Sequence, residues 1–161
     1  MRKKLKWAAI VVVAGFALLQ LANPARTNPP VVNDLAASNP PPPEVLASLH
    51  AACYDCHSYE TKWPWYAHIA PVSILVAHDV MEGRDNFNFS EWPTDPKRAA
   101  KKLDRINERV DYQEMPPKKY TLMHPEARLT EAQRKAIIDW TAAASKQLQT
   151  ASTNQTASTN P

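Results

Sequence analysis

Apolar residues recur at helical spacing through most of the central part of the chain, and we predict an all-α fold. Residues three and four positions apart lie on one face of a helix, and no segment is a convincing strand. Helix-starting residues divide this part into four helices. Their predicted starts are Pro43, Pro71, Asp95 and Thr130, and Gly83 is predicted to end the second helix.

A basic and then apolar segment opens the chain. Four basic residues precede the apolar run from Trp7 to Ala22. That run nearly reaches the roughly 20 residues of a membrane-spanning helix, and a small-x-small cleavage site is hard to find after it. We predict that residues 1–22 form an uncleaved anchor in a bacterial inner membrane, with its positive end in the cytoplasm. A removed signal peptide is the alternative, and either interpretation exports the rest of the chain.

The remaining residues fall into three parts by composition. Residues 23–43 contain seven prolines and few large apolar residues, which is typical of an extended, semi-rigid linker. Residues 44–147 carry the helical pattern and form one small domain. Residues 148–161 are dominated by a polar six-residue repeat, and we predict a disordered tail there.

The charge of the exported part is close to neutral. The formal net charge of the chain is +3, but four of its 19 Lys and Arg residues lie ahead of the apolar run. The remaining 15 nearly balance the 16 Asp and Glu residues, so we expect no nucleic-acid partner. A basic cluster from Lys97 to Arg109 is most simply a solvated helix face, although it could steer an acidic redox partner.

The chemistry of the chain is concentrated in Cys53-Tyr54-Asp55-Cys56-His57. This is a C-x-x-C-H motif, and its two cysteines are the only ones present. Two thiols one helical turn apart can attach to the vinyl groups of one haem, and the following His can bind the iron. The alternatives are a local disulfide, a thioredoxin-type redox pair, or half of a metal site. We favour one covalent haem c with His57 as the proximal iron ligand, and Asp55 as a solvated spacer.

The order of these parts is that of a small cytochrome c, in which a Met-Pro loop precedes the last helix. Met115 in Glu114-Met115-Pro116-Pro117 is therefore the candidate sixth iron ligand. A thioether opposite a His raises the reduction potential and suits electron transfer. The alternatives are a vacant or water-filled position and five further side chains: His50, His68, His78, Met123 and His124.

Three further residues are predicted to contact the cofactor. Pro71 lies about fourteen residues after His57, at an offset where small cytochromes c use a proline carbonyl to accept the proton of the proximal imidazole. Trp63 and Trp65 are predicted to pack against the porphyrin.

The chain resembles the bacterial haem-binding domain family, whose members are small cytochrome c-like proteins. The resemblance covers about residues 43–144. It is carried by CYDCHS (53–58), TKWPWY (61–66), IAPVS (69–73), EGR (82–84), NFSEW (88–92) and MPPKKYTLMHPEA (115–127). It implies covalent haem and export, but no particular reaction.

Together these observations predict a small cytochrome c-like helical domain around one covalent haem. Our first hypothesis is a monohaem c-type cytochrome, a membrane-tethered electron carrier that meets redox partner proteins on the periplasmic side. The alternative is a haem-based sensor or gas-binding module with an open or exchangeable sixth iron position. A peroxidase-like enzyme is a third hypothesis, but the sequence places no distal Arg–His pair near the haem. We therefore favour an electron-transfer or haem-binding protein over an enzyme.

Overall fold

Helices make up the ordered framework of the computed structural model, which describes residues 1–22 and 24–158. The α-helices within these residues are α1 (Arg2–Leu19), α2 (Leu35–Ser38), α3 (Pro43–Ala52), α4 (Tyr54–His57), α5 (Val72–Asn86), α6 (Pro96–Asp111), α7 (Lys118–Met123) and α8 (Glu131–Ser158). Two 3₁₀ turns, Trp65–His68 and Pro125–Ala127, complete them. The described residues form no strand beyond one isolated bridge between Asn33 and Glu91. The predicted all-α class is confirmed.

Helices α6 and α8 pack on each other more extensively than any other pair of the described helices, and both contribute buried residues to the core. The side chain of Asp95 caps α6 by accepting a hydrogen bond from the Arg98 N–H (2.7 Å). Thr130 and Gln133 form the predicted capping box at the start of α8. The buried face of α6 consists of Ala99, Ala100, Leu103, Ile106 and Val110, which agrees with the helical spacing of the sequence.

Helix α5 extends further than the sequence predicts. It begins at Val72 directly after Pro71, but it continues through Asn86 instead of ending at Gly83. Gly83 is a buried residue inside the helix. The prediction of a helix end was wrong because this glycine serves a close packing contact with the C-x-x-C-H motif and not a left-handed cap.

The proline-rich segment is joined to the helical domain by buried contacts. Leu35 is fully buried and belongs to the core cluster. Its N–H donates to the Phe89 carbonyl (2.8 Å), and the Trp92 indole donates to the Asn39 side chain (2.8 Å). The segment therefore differs from the predicted extended linker, because one buried leucine and a few polar side chains are enough to hold it against residues 89–92.

The two ends of the chain are also helical. Helix α8 runs through Ser158, with Leu148 against the core, where the sequence predicted a disordered tail from residue 148. Nucleation is the costly step of helix formation, so a helix already held by packing can extend into the residues that follow it. Residues 159–161 lie outside the described part of the chain.

Helix α1 carries no buried residue, and the first residue after it contacts the domain. The Gln20 side chain accepts from the Ala70 N–H (2.9 Å) and donates to the Ala70 carbonyl (3.1 Å). Among the residues that the structure describes, none of the helices meets the length and hydrophobicity required of a membrane span. The membrane anchor stays a prediction.

Replacing Leu35 with Ala should lower the free energy of unfolding by about 2–5 kcal/mol, because a fully buried leucine leaves a cavity. Val32→Ala is the matched control in the same segment, since Val32 is 77% exposed, and it should change stability by less than about 0.5 kcal/mol. Urea unfolding followed by circular dichroism measures both. If Leu35→Ala has the same free energy of unfolding as the wild type, the proline-rich segment is an extended linker, as the sequence predicts.

Candidate haem site

The C-x-x-C-H motif forms a tight helical turn at the end of α3. The Cys53 carbonyl accepts hydrogen bonds from the N–H groups of Cys56 (3.2 Å) and His57 (2.9 Å), which closes α4. Residues three positions apart lie on the same side of such a turn, so the two sulfur atoms face one region. Both cysteines are free and half-buried. A local disulfide between them is thus not formed.

The electrostatics of the two thiols disfavour a thioredoxin-type redox pair. Burial raises the pKa of Cys53 to about 12, and the neighbouring Cys56 adds to the effect. Burial, Asp55 and Asp79 raise the pKa of Cys56 to about 11. Thioredoxin-type nucleophiles are thiolates with lowered pKa values. These cysteines therefore stay protonated at neutral pH.

His57 is oriented as a metal ligand by its buried hydrogen bonds. Its Nδ1 lies 2.8 Å from the Gly83 carbonyl oxygen and 3.2 Å from that of Phe87. Because carbonyls only accept, Nδ1 carries the proton and Nε2 has the lone pair that iron needs. The ring also stacks on Phe87, with 3.9 Å between centroids. Burial lowers the pKa of His57 and outweighs the two hydrogen bonds to carbonyls, which raise it. The imidazole is therefore neutral at pH 7.

The acceptor of the imidazole proton is Gly83, and the prediction that it is Pro71 was wrong. The Pro71 carbonyl instead accepts from the N–H groups of Ile74 (3.1 Å) and Leu75 (3.4 Å) in the first turn of α5. The sequence offset suggested Pro71, but the fold brings the opposite end of α5 to the histidine.

Gly83 allows α5 to pack backbone to backbone against the haem motif. A Cβ atom at this position would lie 2.5 Å from the Cys56 carbonyl oxygen and 3.2 Å from the Cys56 Cβ. Only a residue without a side chain fits this approach. Gly83 is thus a functional residue that the sequence pattern assigned to a helix end. The one signal in the sequence was its being the only glycine after α1.

The predicted sixth ligand, Met115, is half-buried in the loop after α6. Its N–H donates to the Arg109 carbonyl (3.1 Å). The contacts that join this region to the haem motif come from α7, which begins at Lys118. There the Tyr120 hydroxyl donates to Asp55, between the two cysteines (2.7 Å), and Lys119 pairs with Asp79 of α5 (2.7 Å).

The histidines and Met123 are less suitably placed to be the sixth ligand. Both ring nitrogens of His124 are engaged, by the Tyr66 hydroxyl (2.6 Å) and by the Glu126 carboxylate (2.9 Å). The side chain of His78 is 71% exposed and lies near Glu82. The remaining candidates, His50, His68 and Met123, are exposed as well. Met115 as the sixth ligand stays a prediction.

Buried polar atoms near the motif fit a bound group of haem type. Trp63 Nε1, Tyr54 Oη and Ser73 Oγ are buried without a hydrogen-bond partner. Such an atom costs about 1–3 kcal/mol unless a partner is supplied, and haem propionates are strong acceptors. Trp63 follows Lys62, whose N–H donates to Asp55 of the motif (2.9 Å). The residues present therefore fit a haem. Trp65, in contrast, is 73% exposed and touches Tyr66 edge-on.

Comparison with known proteins supports haem binding. The family model of the haem-binding domain matches residues 14–143. The chain belongs to the haem-binding domain family. This haem-binding domain protein is also 27% identical over 94 residues to the "Cytochrome c peroxidase Ccp" of Escherichia coli (strain K12). The match covers 56% of the chain but only 20% of that relative. No solved structure matches the chain.

Gly83→Ala in this haem-binding domain protein should lower the free energy of unfolding by about 1–3 kcal/mol, because the added methyl group collides with the Cys56 backbone. Gly15→Ala is the matched control, since a Cβ there meets nothing within 4 Å and alanine favours a helix. Urea unfolding of both variants measures the difference. Equal stability of Gly83→Ala and the wild type would mean that the close approach is not required.

Proposed function

We propose that this chain is a monohaem c-type cytochrome, a membrane-tethered electron carrier on the periplasmic side of a bacterial inner membrane. The observation that carries the proposal is the state of His57. It follows two free thiols in a C-x-x-C-H turn, it is buried, and its Nδ1 proton is directed at the Gly83 carbonyl. This is the arrangement in which a proximal histidine presents Nε2 to iron.

Each residue of the site has a distinct role in this proposal. Cys53 and Cys56 would hold the porphyrin through two thioether bonds, each from the addition of one thiol across one vinyl group. His57 and Met115 would hold the iron, and the buried Trp63 indole would offer its N–H to a propionate. The bound haem supplies one-electron iron chemistry, and the chain sets its potential through these ligands.

The exposed face of α6 supports an acidic redox partner. Lys97, Arg98, Lys101 and Arg105 are exposed on this helix, whose other face is buried in the core. Burial and the charges of the neighbouring cations lower the pKa of Lys102. The Lys102 ammonium also donates to the Asn86 carbonyl, next to the Phe87 that stacks on His57. A positive surface beside the proximal ligand suits electrostatic steering of an acidic electron donor or acceptor.

The membrane tether is supported by the start of the chain. Basic residues precede the apolar run, as in segments whose positive end stays in the cytoplasm. The Gln20 side chain pairs with both polar backbone atoms of Ala70, so the end of α1 lies against the haem domain. A tether of this kind would keep the domain close to the membrane surface.

The proposal predicts one covalent haem per chain, because the only two cysteines form the attachment motif. After expression with the haem-attachment machinery, the protein denatured in a gel should retain haem-dependent peroxidase staining. The pair Cys53→Ala with Cys56→Ala should abolish this staining. Extraction of the wild-type haem into acid-acetone would contradict covalent attachment.

Met115→Ala should leave the haem attached while changing the iron. We expect loss of the weak far-red sulfur–iron band of the ferric protein, a lower reduction potential and rapid CO binding to the ferrous protein. Met123→Ala is the matched control, since Met123 is 56% exposed, and it should change none of these properties. If the Met115→Ala spectrum is unaltered while His78→Ala or His124→Ala makes the iron high-spin, the sixth ligand is a histidine and not Met115. A wild type that is already high-spin would favour the sensor hypothesis.

A further inference from the structure

Asp55, between the two cysteines of the haem motif, is not the solvated spacer that the sequence suggested. Its Oδ2 accepts a hydrogen bond from the Tyr120 hydroxyl (2.7 Å), and its Oδ1 accepts one from the Lys62 N–H (2.9 Å). Its backbone carbonyl accepts from the Thr61 hydroxyl (2.7 Å). The bonds from Lys62 and Thr61 therefore hold Asp55 in place independently of Tyr120.

Tyr120 lies on α7, which starts directly after Met115-Pro116-Pro117. The phenol is half-buried, and its ring stacks on His124 with 4.3 Å between centroids. Burial, followed by the hydrogen bond to Asp55, raises the pKa of the Tyr120 hydroxyl, so it stays a donor throughout the neutral range. A neutral donor on a half-buried carboxylate makes a charge-assisted hydrogen bond, which is stronger than one between neutral groups.

The second polar contact of α7 with the site is weaker. Lys119 pairs with Asp79 of α5, but the two side chains are 57% and 27% exposed. Ion pairs of this exposure contribute little to stability. The bond between Tyr120 and Asp55 is therefore the main polar restraint that holds α7 on the haem motif itself.

We infer that Asp55 and Tyr120 form a lock that positions Met115 for the iron. Two prolines with fixed φ angles connect Met115 to α7, so a displacement of α7 is transmitted to the methionine instead of being absorbed by the loop. Both residues are positioning residues for the sixth ligand, and neither touches the iron in this role. The inference rests on the proposed function, because it requires haem on Cys53 and Cys56.

The test is Tyr120→Phe in the full haem-loaded chain, which removes only the hydroxyl. Without the lock, the sulfur leaves the iron more readily, and an external ligand binds in its place. We expect imidazole to bind the ferric protein about tenfold more tightly in the variant, as the loss of one charge-assisted hydrogen bond implies. The far-red sulfur–iron band should weaken and the reduction potential should fall, while the haem stays attached.

Two further variants make the result specific. Tyr112→Phe is the matched control, because Tyr112 is 67% exposed, and it should bind imidazole like the wild type. Asp55→Ala should show at least the effect of Tyr120→Phe, since it also removes the acceptor of the Lys62 N–H. Adding Tyr120→Phe to Asp55→Ala should then cause no further change, because the bond between the two residues is already broken. A merely structural role would lower the unfolding stability of each variant and leave the imidazole affinity and the potential unchanged.

The outcomes separate this inference from the proposed function. Suppose that Met115→Ala changes the iron spectrum but Tyr120→Phe and Asp55→Ala bind imidazole like the wild type. The inferred role of Asp55 and Tyr120 is then wrong, and the proposed cytochrome function is unaffected. If Met115→Ala itself changes neither the band nor the affinity, Met115 is not the ligand, and both the lock and the proposed axial pair are overturned. If Tyr120→Phe loses haem, the inference is tested with Asp55→Ala alone, by its imidazole affinity, its far-red band and its reduction potential.

Discussion

The close approach of α5 to the C-x-x-C-H turn is the constraint on which the site depends. With no side chain at Gly83, the helix backbone lies against Cys56. That distance brings the Gly83 carbonyl within 2.8 Å of His57 Nδ1, and it also places Phe87 against the imidazole ring. The tautomer, the orientation and the burial of His57 therefore all depend on one backbone contact.

Local signals predicted the helical framework well. Pro43, Asp95 and the pair Thr130–Gln133 start helices where expected, because each signal acts within one turn of the helix it starts. Leu35 was not predicted as a core residue. It lies in a proline-rich segment with few large apolar residues, and its N–H donates to the Phe89 carbonyl, far away in the sequence. The composition of a segment does not show which distant residues it packs against, and its burial depends on those residues.

In the site, too, local features could be predicted from the sequence and long-range contacts could not. The C-x-x-C-H turn could be recognised in the sequence because five consecutive residues form it. The groups that orient these residues could not be recognised there, because they are brought together by the fold. Gly83 lies 26 residues after His57, and Tyr120 lies 65 residues after Asp55. Pro71 was assigned by its offset in the sequence, whereas the hydrogen bond is decided by the end of α5 that faces the histidine.

The raised pKa values of the two thiols also have a kinetic consequence. Disulfide exchange proceeds through the thiolate, and at pH 7 a thiol with a pKa of about 11 is ionised in only about one molecule in ten thousand. Cys56 in the folded chain would thus react slowly with oxidants, and Cys53 more slowly still. Where an oxidising compartment rapidly closes neighbouring cysteines into a disulfide, this fold would lengthen the lifetime of the reduced pair.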